Sequence, residues 1–146
     1  MVDRDLVTAK LRELAERIER VRKHCPREAS DLAADPDALD LVSFNLMLAV
    51  QASLDLASHL ISDEGWPPAE THADAFRSLH QHGVLTQETA ETLGKATGLR
   101  NVVAHGYAGV DPVLIYQAAM YGLADLERFS REVSAWVEGR RSDKTL

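Results

Sequence analysis

The sequence contains a single cysteine, Cys25, among its 146 residues. One thiol cannot form an intramolecular disulfide or supply a cysteine-based zinc site, so neither feature can hold the fold together. The N-terminus has no apolar core of the signal-peptide type, and no apolar run approaches the length that crosses a membrane. These absences favour a cytoplasmic protein with an ordinary apolar core and no membrane contact.

Basic side chains are scarce in the middle of the chain. Residues 28–127 carry three of them, Arg77, Lys95 and Arg100, against fifteen acidic ones, while the two ends together carry thirteen basic and eight acidic groups. Phosphate contacts supply most of the affinity of a non-specific nucleic-acid binder, which therefore needs a basic stripe. We do not expect DNA binding, and any contact with a polyanion must be local, assembled by oligomerisation or supplied by the terminal helices.

Alternating β-strand patterns are also missing, and apolar residues recur instead at steps of three and four. Asp35 before Pro36 and Asp111 before Pro112 each give a helix cap followed by proline, and Thr86 is a further cap. Gly106 is the expected C-terminal cap of the fourth helix. The predicted helices cover about 3–24, 36–62, 70–80, 87–105 and 112–136. The sequence thus predicts an all-α, up-and-down-type bundle of five helices in one domain, residues 1–146, with a frayed polar tail from about 140.

The second predicted helix is apolar on two sides, which indicates the central helix of the bundle. One further face is polar and consists of Gln51, Asp55, Ser58, His59 and Ser62. These positions share a face by the i, i+4 rule. The stripe is either solvated or turned toward a cleft, where Asp55 and His59 would orient other groups.

The six histidines do not predict a metal site. His80 and His82 are two residues apart in a polar segment that lacks a set of carboxylate or cysteine ligands. Such spacing is poor for metal coordination. We therefore expect no bound metal.

The segment GLRNVVAHGYAGVDP, residues 98–112, brings Arg100, Asn101, His105 and Tyr107 close together at a predicted helix end. Five residues rotate by about 140° on a helix, so Arg100 and His105 do not share a face, whereas Asn101 and His105 do. The negative end of the helix dipole favours cations in the last turn. The pattern fits either helix capping or a small site that handles phosphate.

"RNVVAHGY" followed by "AGVD" resembles the motif of HEPN proteins, specifically of HepT-like ribonuclease toxins. That motif has an arginine, a polar residue, three residues, a histidine, one residue and a tyrosine, matched here by Arg100, Asn101, His105 and Tyr107. Residues 49–85 resemble the second helix, linker and third helix of the family. The resemblance covers nearly the whole chain.

This resemblance implies an all-helical homodimer with two motifs facing one another across a cleft, and cleavage of RNA without a metal or other cofactor. Arg100 and His105 would be catalytic, with Asn101 and Asp55 as candidate supporting residues. An MNT-type nucleotidyltransferase antitoxin would use ATP and Mg²⁺ to transfer AMP onto Tyr107.

A second hypothesis is a catalytically silent HEPN subunit that presents nucleotide or substrate to a nucleotidyltransferase. The intact Arg100–His105 pair favours the enzyme, and the acidic middle of the chain favours the silent subunit. A helical adaptor, in which the motif is a coincidence, is the third alternative.

Overall fold

The computed structural model describes residues 2–105 and 109–144, with side chains described as far as residue 140. Within these ranges all regular secondary structure is helical, which confirms the predicted all-α class. The helices are α1 (Arg4–His24), α2 (Ala29–Ala33), α3 (Pro36–Asp63), α4 (His72–Gln81), α5 (Gln87–Ala104), α6 (Pro112–Gln117) and α7 (Leu123–Lys144), and a π-helical segment (Ala118–Gly122) joins the last two.

Polar caps set where the helices begin. Side-chain oxygens of Asp3, Asp35, Thr71, Thr86 and Asp111 each accept a backbone N–H two or three residues ahead. These N–H groups have no partner inside the helix, so the cap satisfies them. The starts predicted at Asp35, Thr86 and Asp111 are confirmed.

Helix α3 is the centre of the bundle and contacts each of the other helices. By length and composition it could cross a membrane, with a mean hydropathy of 1.4 in its most apolar stretch. The expectation that no run approaches this length was therefore wrong. However, 61% of that stretch is buried inside the fold, as in the core helix of a bundle.

Two phenylalanines join α4 and α7 at the core. The rings of Phe76 and Phe129 are both fully buried and meet edge to face, with centroids 5.8 Å apart. Aromatic pairs in this arrangement contribute beyond the area that they bury. This packing positions α7 to support the start of α5.

The structure departs from the predicted helices in two places. The segment predicted as a break before Asp35 contains the short helix α2, which buries Leu32. The last predicted helix is interrupted by the π-helical segment, which inserts an extra residue into the helical repeat. As a result, the next buried residue after Ala119 is Leu123, whereas the regular spacing had predicted Gly122.

The C-terminal helix also extends further than expected. Helix α7 runs to Lys144, past the point near 140 where fraying was predicted. The guanidinium of Arg140 lies 4.8 Å from the ring centroid of Trp136 and pairs with Glu64 at 3.2 Å. These contacts hold the end of α7 against the end of α3.

Candidate active site

The C-terminal end of α5 carries the residues of the predicted site. Arg100 lies one turn before the end, Asn101 follows it, and His105 is the C-cap, its backbone N–H donating to the carbonyl of Asn101 at 3.0 Å. Helix α5 therefore ends at Ala104, within one residue of the predicted end. Gly106 and Tyr107 lie outside the described residues.

The guanidinium of Arg100 is held by two side-chain amides. Its Nε–H donates to Oε1 of Gln51 on α3, and its Nη1 donates to Oδ1 of Asn101, both at 3.0 Å. Arginine has five N–H donors in a planar fork, so these two bonds fix the plane and leave Nη2 available. The side chain is half-buried, which leaves that edge accessible to a ligand.

A line of polar contacts continues from Gln51 to α1. Nε2 of Gln51 donates to Oδ1 of Asp55 at 2.9 Å, and Nζ of Lys10 donates to Oδ2 of Asp55 and to Oε2 of Glu13, both at 3.2 Å. Burial lowers the pKa of Lys10, but the hydrogen bonds and charges of Glu13 and Asp55 outweigh it, and the pKa is raised. Gln51 thus lies between Asp55 and Arg100, and Lys10 is shared between Asp55 and Glu13.

The charge of Arg100 is not compensated by any carboxylate within residues 2–105 and 109–140. Four other arginines, Arg22, Arg77, Arg128 and Arg140, do form ion pairs with carboxylates. Fifteen acidic residues surround Arg100 in sequence between positions 28 and 127. The fold nevertheless gives this guanidinium two neutral hydrogen-bond partners.

His105 is exposed at the same helix end. Its side chain makes no hydrogen bond to the described residues. The negative end of the α5 dipole lies beside it. Because Asn101 contacts Arg100 through its side chain and His105 through its backbone, it connects the two predicted catalytic residues.

An apolar groove of about 370 Å³ lies between α3, α5 and the last helices. Leu99 of α5 lines it, together with Leu114 and Tyr121, which are 43% and 74% exposed. Val102 and Met120 are exposed apolar residues on the same helices. An exposed apolar surface of this kind marks an interaction site.

The remaining polar candidates do not join this site. His59 of the polar stripe pairs with Asp63 at 2.8 Å. His80 contacts the carbonyl of Leu85 through Nδ1, and the ring of His82 stacks on Trp66 at 4.1 Å. Among the described residues, no group of three His, Cys, Asp or Glu side chains is placed to hold a metal ion.

Two residues of the site were not predicted as such from sequence. Gln51 belongs to the polar stripe, but its contact with Arg100 joins residues 49 positions apart. Lys10 meets Asp55 across 45 positions. The only local signal was that Gln51 and Asp55 share a helix face. A shared face could indicate that Gln51 and Asp55 contact each other, but not that they contact Arg100 and Lys10.

Comparison with known proteins identifies the family and the fold. Residues 14–133 match the family model described as Ribonuclease HepT-like. The chain is 25% identical over 131 residues to the mRNA nuclease HepT of Shewanella oneidensis, covering 90% of this chain and 98% of the relative. It is 28% identical over 92 residues to the tRNA nuclease HepT of Aphanizomenon flos-aquae, covering 63% of each chain. Among solved structures, a tri-AMPylated HEPN toxin from S. oneidensis in complex with an MNT antitoxin matches with a TM-score of 0.82 and 25% identity, covering 90% of this chain and 98% of the toxin.

Proposed function

We propose that this chain, which belongs to the HepT-like ribonuclease family, is a metal-independent endoribonuclease and the toxin of a toxin–antitoxin pair. The observation that carries the proposal is the uncompensated guanidinium of Arg100, oriented by Gln51 and Asn101, at the helix end where His105 is exposed. An anion-binding cation beside an accessible acid or base is the minimum that phosphodiester cleavage requires.

The proposed reaction is attack by the ribose 2′-oxygen on the adjacent phosphorus. A base removes the 2′-hydroxyl proton as the new P–O bond forms, the bond from phosphorus to the 5′-oxygen breaks, and an acid protonates that leaving oxygen. Histidine can serve as either acid or base near neutral pH. Arg100 would stabilise the charge that develops on the non-bridging oxygens.

One chain supplies one such histidine, and a two-fold dimer would supply two. We propose that the apolar groove lies in the dimer interface, because it is lined by the exposed Leu114 and Tyr121 and by Leu99, the residue before Arg100. A second copy covering this surface would bring its own Arg100 and His105 to the same cleft. One histidine would then act as base and the other as acid.

The partner we propose is an MNT-type nucleotidyltransferase antitoxin that transfers AMP from ATP onto Tyr107. The S. oneidensis toxin, a structural relative at 25% identity, is tri-AMPylated and in complex with an MNT antitoxin. Tyr107 follows His105 by two positions. AMP at that place would add bulk and negative charge beside the groups that contact RNA phosphate, and would block the site by steric exclusion and repulsion.

The test is RNA cleavage by the purified protein in EDTA, with His105→Ala and Arg100→Ala as variants. We expect cleavage in EDTA and a loss of about 10²–10³ in rate for either variant, with helicity unchanged by circular dichroism. Cleavage that EDTA abolishes, or full activity of His105→Ala, would refute the mechanism. A protein that binds the antitoxin but cleaves no RNA would be the silent subunit instead.

A further inference from the structure

We propose that Gln51 is a positioning residue, a neutral spacer that orients Arg100 while keeping the nearby carboxylate of Asp55 from neutralising it. This inference rests on the proposed function, since it assigns a role in binding RNA phosphate. It concerns a residue of α3 that lies 49 positions from Arg100 and outside the sequence motif.

The hydrogen bonds of Gln51 determine the orientation of its amide. Oε1 accepts from Nε–H of Arg100, which can only donate, and Nε2 donates to Oδ1 of Asp55, which can only accept when ionised. Rotating the amide by 180° would set donor against donor and acceptor against acceptor. The amide therefore has a single orientation, and its hydrogen bond to Nε–H fixes the orientation of the guanidinium.

The charges along the line explain why the residue is an amide. Asp55 is paired on its other oxygen with Lys10, which also pairs with Glu13. Gln51 separates this ion pair from Arg100, whose other acceptor, Asn101, is also neutral. A carboxylate at position 51 would form an ion pair with the guanidinium, as carboxylates do with Arg22 and the other paired arginines. This carboxylate would then compete with RNA phosphate for the guanidinium.

The first variant is Gln51→Glu, studied in a His105→Ala background so that single-stranded RNA binds without being cleaved. We expect Kd to rise about tenfold, since a hydrogen bond to a charged group is being lost. The slope of log Kd against log salt should fall by about 1, the signature of one lost phosphate contact. Gln81→Glu, at the exposed end of α4, adds the same charge elsewhere and should change neither quantity.

The second variant is Gln51→Leu, which removes the orienting bond, adds no charge and still fills the space between Arg100 and Asp55. With His105 intact, we expect Gln51→Leu to lower kcat. KM and the salt slope should stay near the values of the unmodified protein. If Gln51 had a structural role alone, both variants would lower the melting temperature. Gln51→Glu would then not act on Kd and the salt slope while Gln51→Leu acts on kcat. Equal effects of Gln51→Glu and Gln51→Leu on the salt slope would overturn the proposal.

A double-mutant cycle with Arg100→Ala completes the test. Once Arg100 is absent, Gln51→Glu should weaken RNA binding no further, because the two residues act through one contact. An additional tenfold loss in that background would show a general charge effect and overturn the proposal.

If the parent binds no RNA, the proposed function fails, and inorganic phosphate still decides the role of Gln51. Phosphate should shift the Nε–Hε NMR signal of Arg100 in the parent and leave it unmoved in Gln51→Glu. The same response in both proteins would overturn the inference.

Discussion

Glu132 on α7 holds the beginning of α5, and its replacement by alanine should destabilise the protein substantially. Its Oε1 accepts the backbone N–H of Thr86 at 2.6 Å, and its Oε2 accepts the hydroxyl of Thr89, which is fully buried. The Glu132 side chain is 19% exposed. One carboxylate therefore caps the helix whose other end carries Arg100.

The magnitude follows from these contacts. Each hydrogen bond to a charged group contributes about 1.5–3 kcal/mol, and the helix dipole about 0.3–1 kcal/mol more. The variant no longer has to remove a carboxylate from water on folding, which offsets part of this loss. In addition, Arg128 still donates a hydrogen bond to Thr89 at 2.8 Å. We expect Glu132→Ala to lower the free energy of unfolding by about 2–4 kcal/mol. At roughly 3 °C per kcal/mol for a chain of this size, the melting temperature should fall by about 6–12 °C.

Urea unfolding and thermal melts at one protein concentration measure the effect, because any dimer makes stability depend on concentration. Glu132→Gln keeps an oxygen for Thr86 and should lose about half as much. Glu16→Ala, an exposed position on α1, should stay within about 0.5 kcal/mol of the parent. RNA cleavage below the melting temperature should persist in Glu132→Ala, since eleven residues of helix, about 16 Å, separate Thr89 from Arg100. A change in stability below about 0.5 kcal/mol for Glu132→Ala would refute the capping role.

Three further predictions concern assembly, modification and pH. Light scattering should give a mass near twice 16.1 kDa at micromolar concentration, and Tyr121→Asp, which charges the apolar groove, should yield a monomer with little activity; a fully active monomer would exclude the paired-histidine mechanism. Incubation with the partner transferase, ATP and Mg²⁺ should add AMP to the parent and none to Tyr107→Phe, which should still cleave RNA; intact-mass detection of AMP on the Phe variant would locate the acceptor elsewhere. The hydrogen bond from Arg22 lowers the pKa of Glu127 below its ordinary 4.5, so this pair stabilises the fold above about pH 4.5 and loses its effect as pH falls through the lowered pKa. Arg22→Ala should therefore reduce the loss of unfolding free energy at acid pH by less than about 1 kcal/mol, since the pair is exposed. An unchanged pH dependence of the unfolding free energy would contradict the assignment.

Features encoded locally could be predicted from the sequence. Apolar residues at steps of three and four define helix faces, and a capping oxygen acts on an N–H two or three residues away. The helix starts after Asp35, Thr86 and Asp111 followed from such short-range rules. The motif from Arg100 to His105 also lies within one helix end, so its spacing was visible without any knowledge of packing.

Contacts between helices could not be predicted in this way, because the pattern along one helix does not specify which helix packs against it. The contact of Gln51 with Arg100 depends on how α3 crosses α5, and that of Lys10 with Asp55 on how α1 crosses α3. The π-helical segment likewise arises where the last helices meet the core, and it buries Leu123 in place of Gly122. The sequence by itself determined the long helices and the motif residues Arg100, Asn101 and His105. Tertiary packing alone decided that the guanidinium of Arg100 is also held by the neutral amide of Gln51, because only the crossing of α3 and α5 brings this residue within its reach.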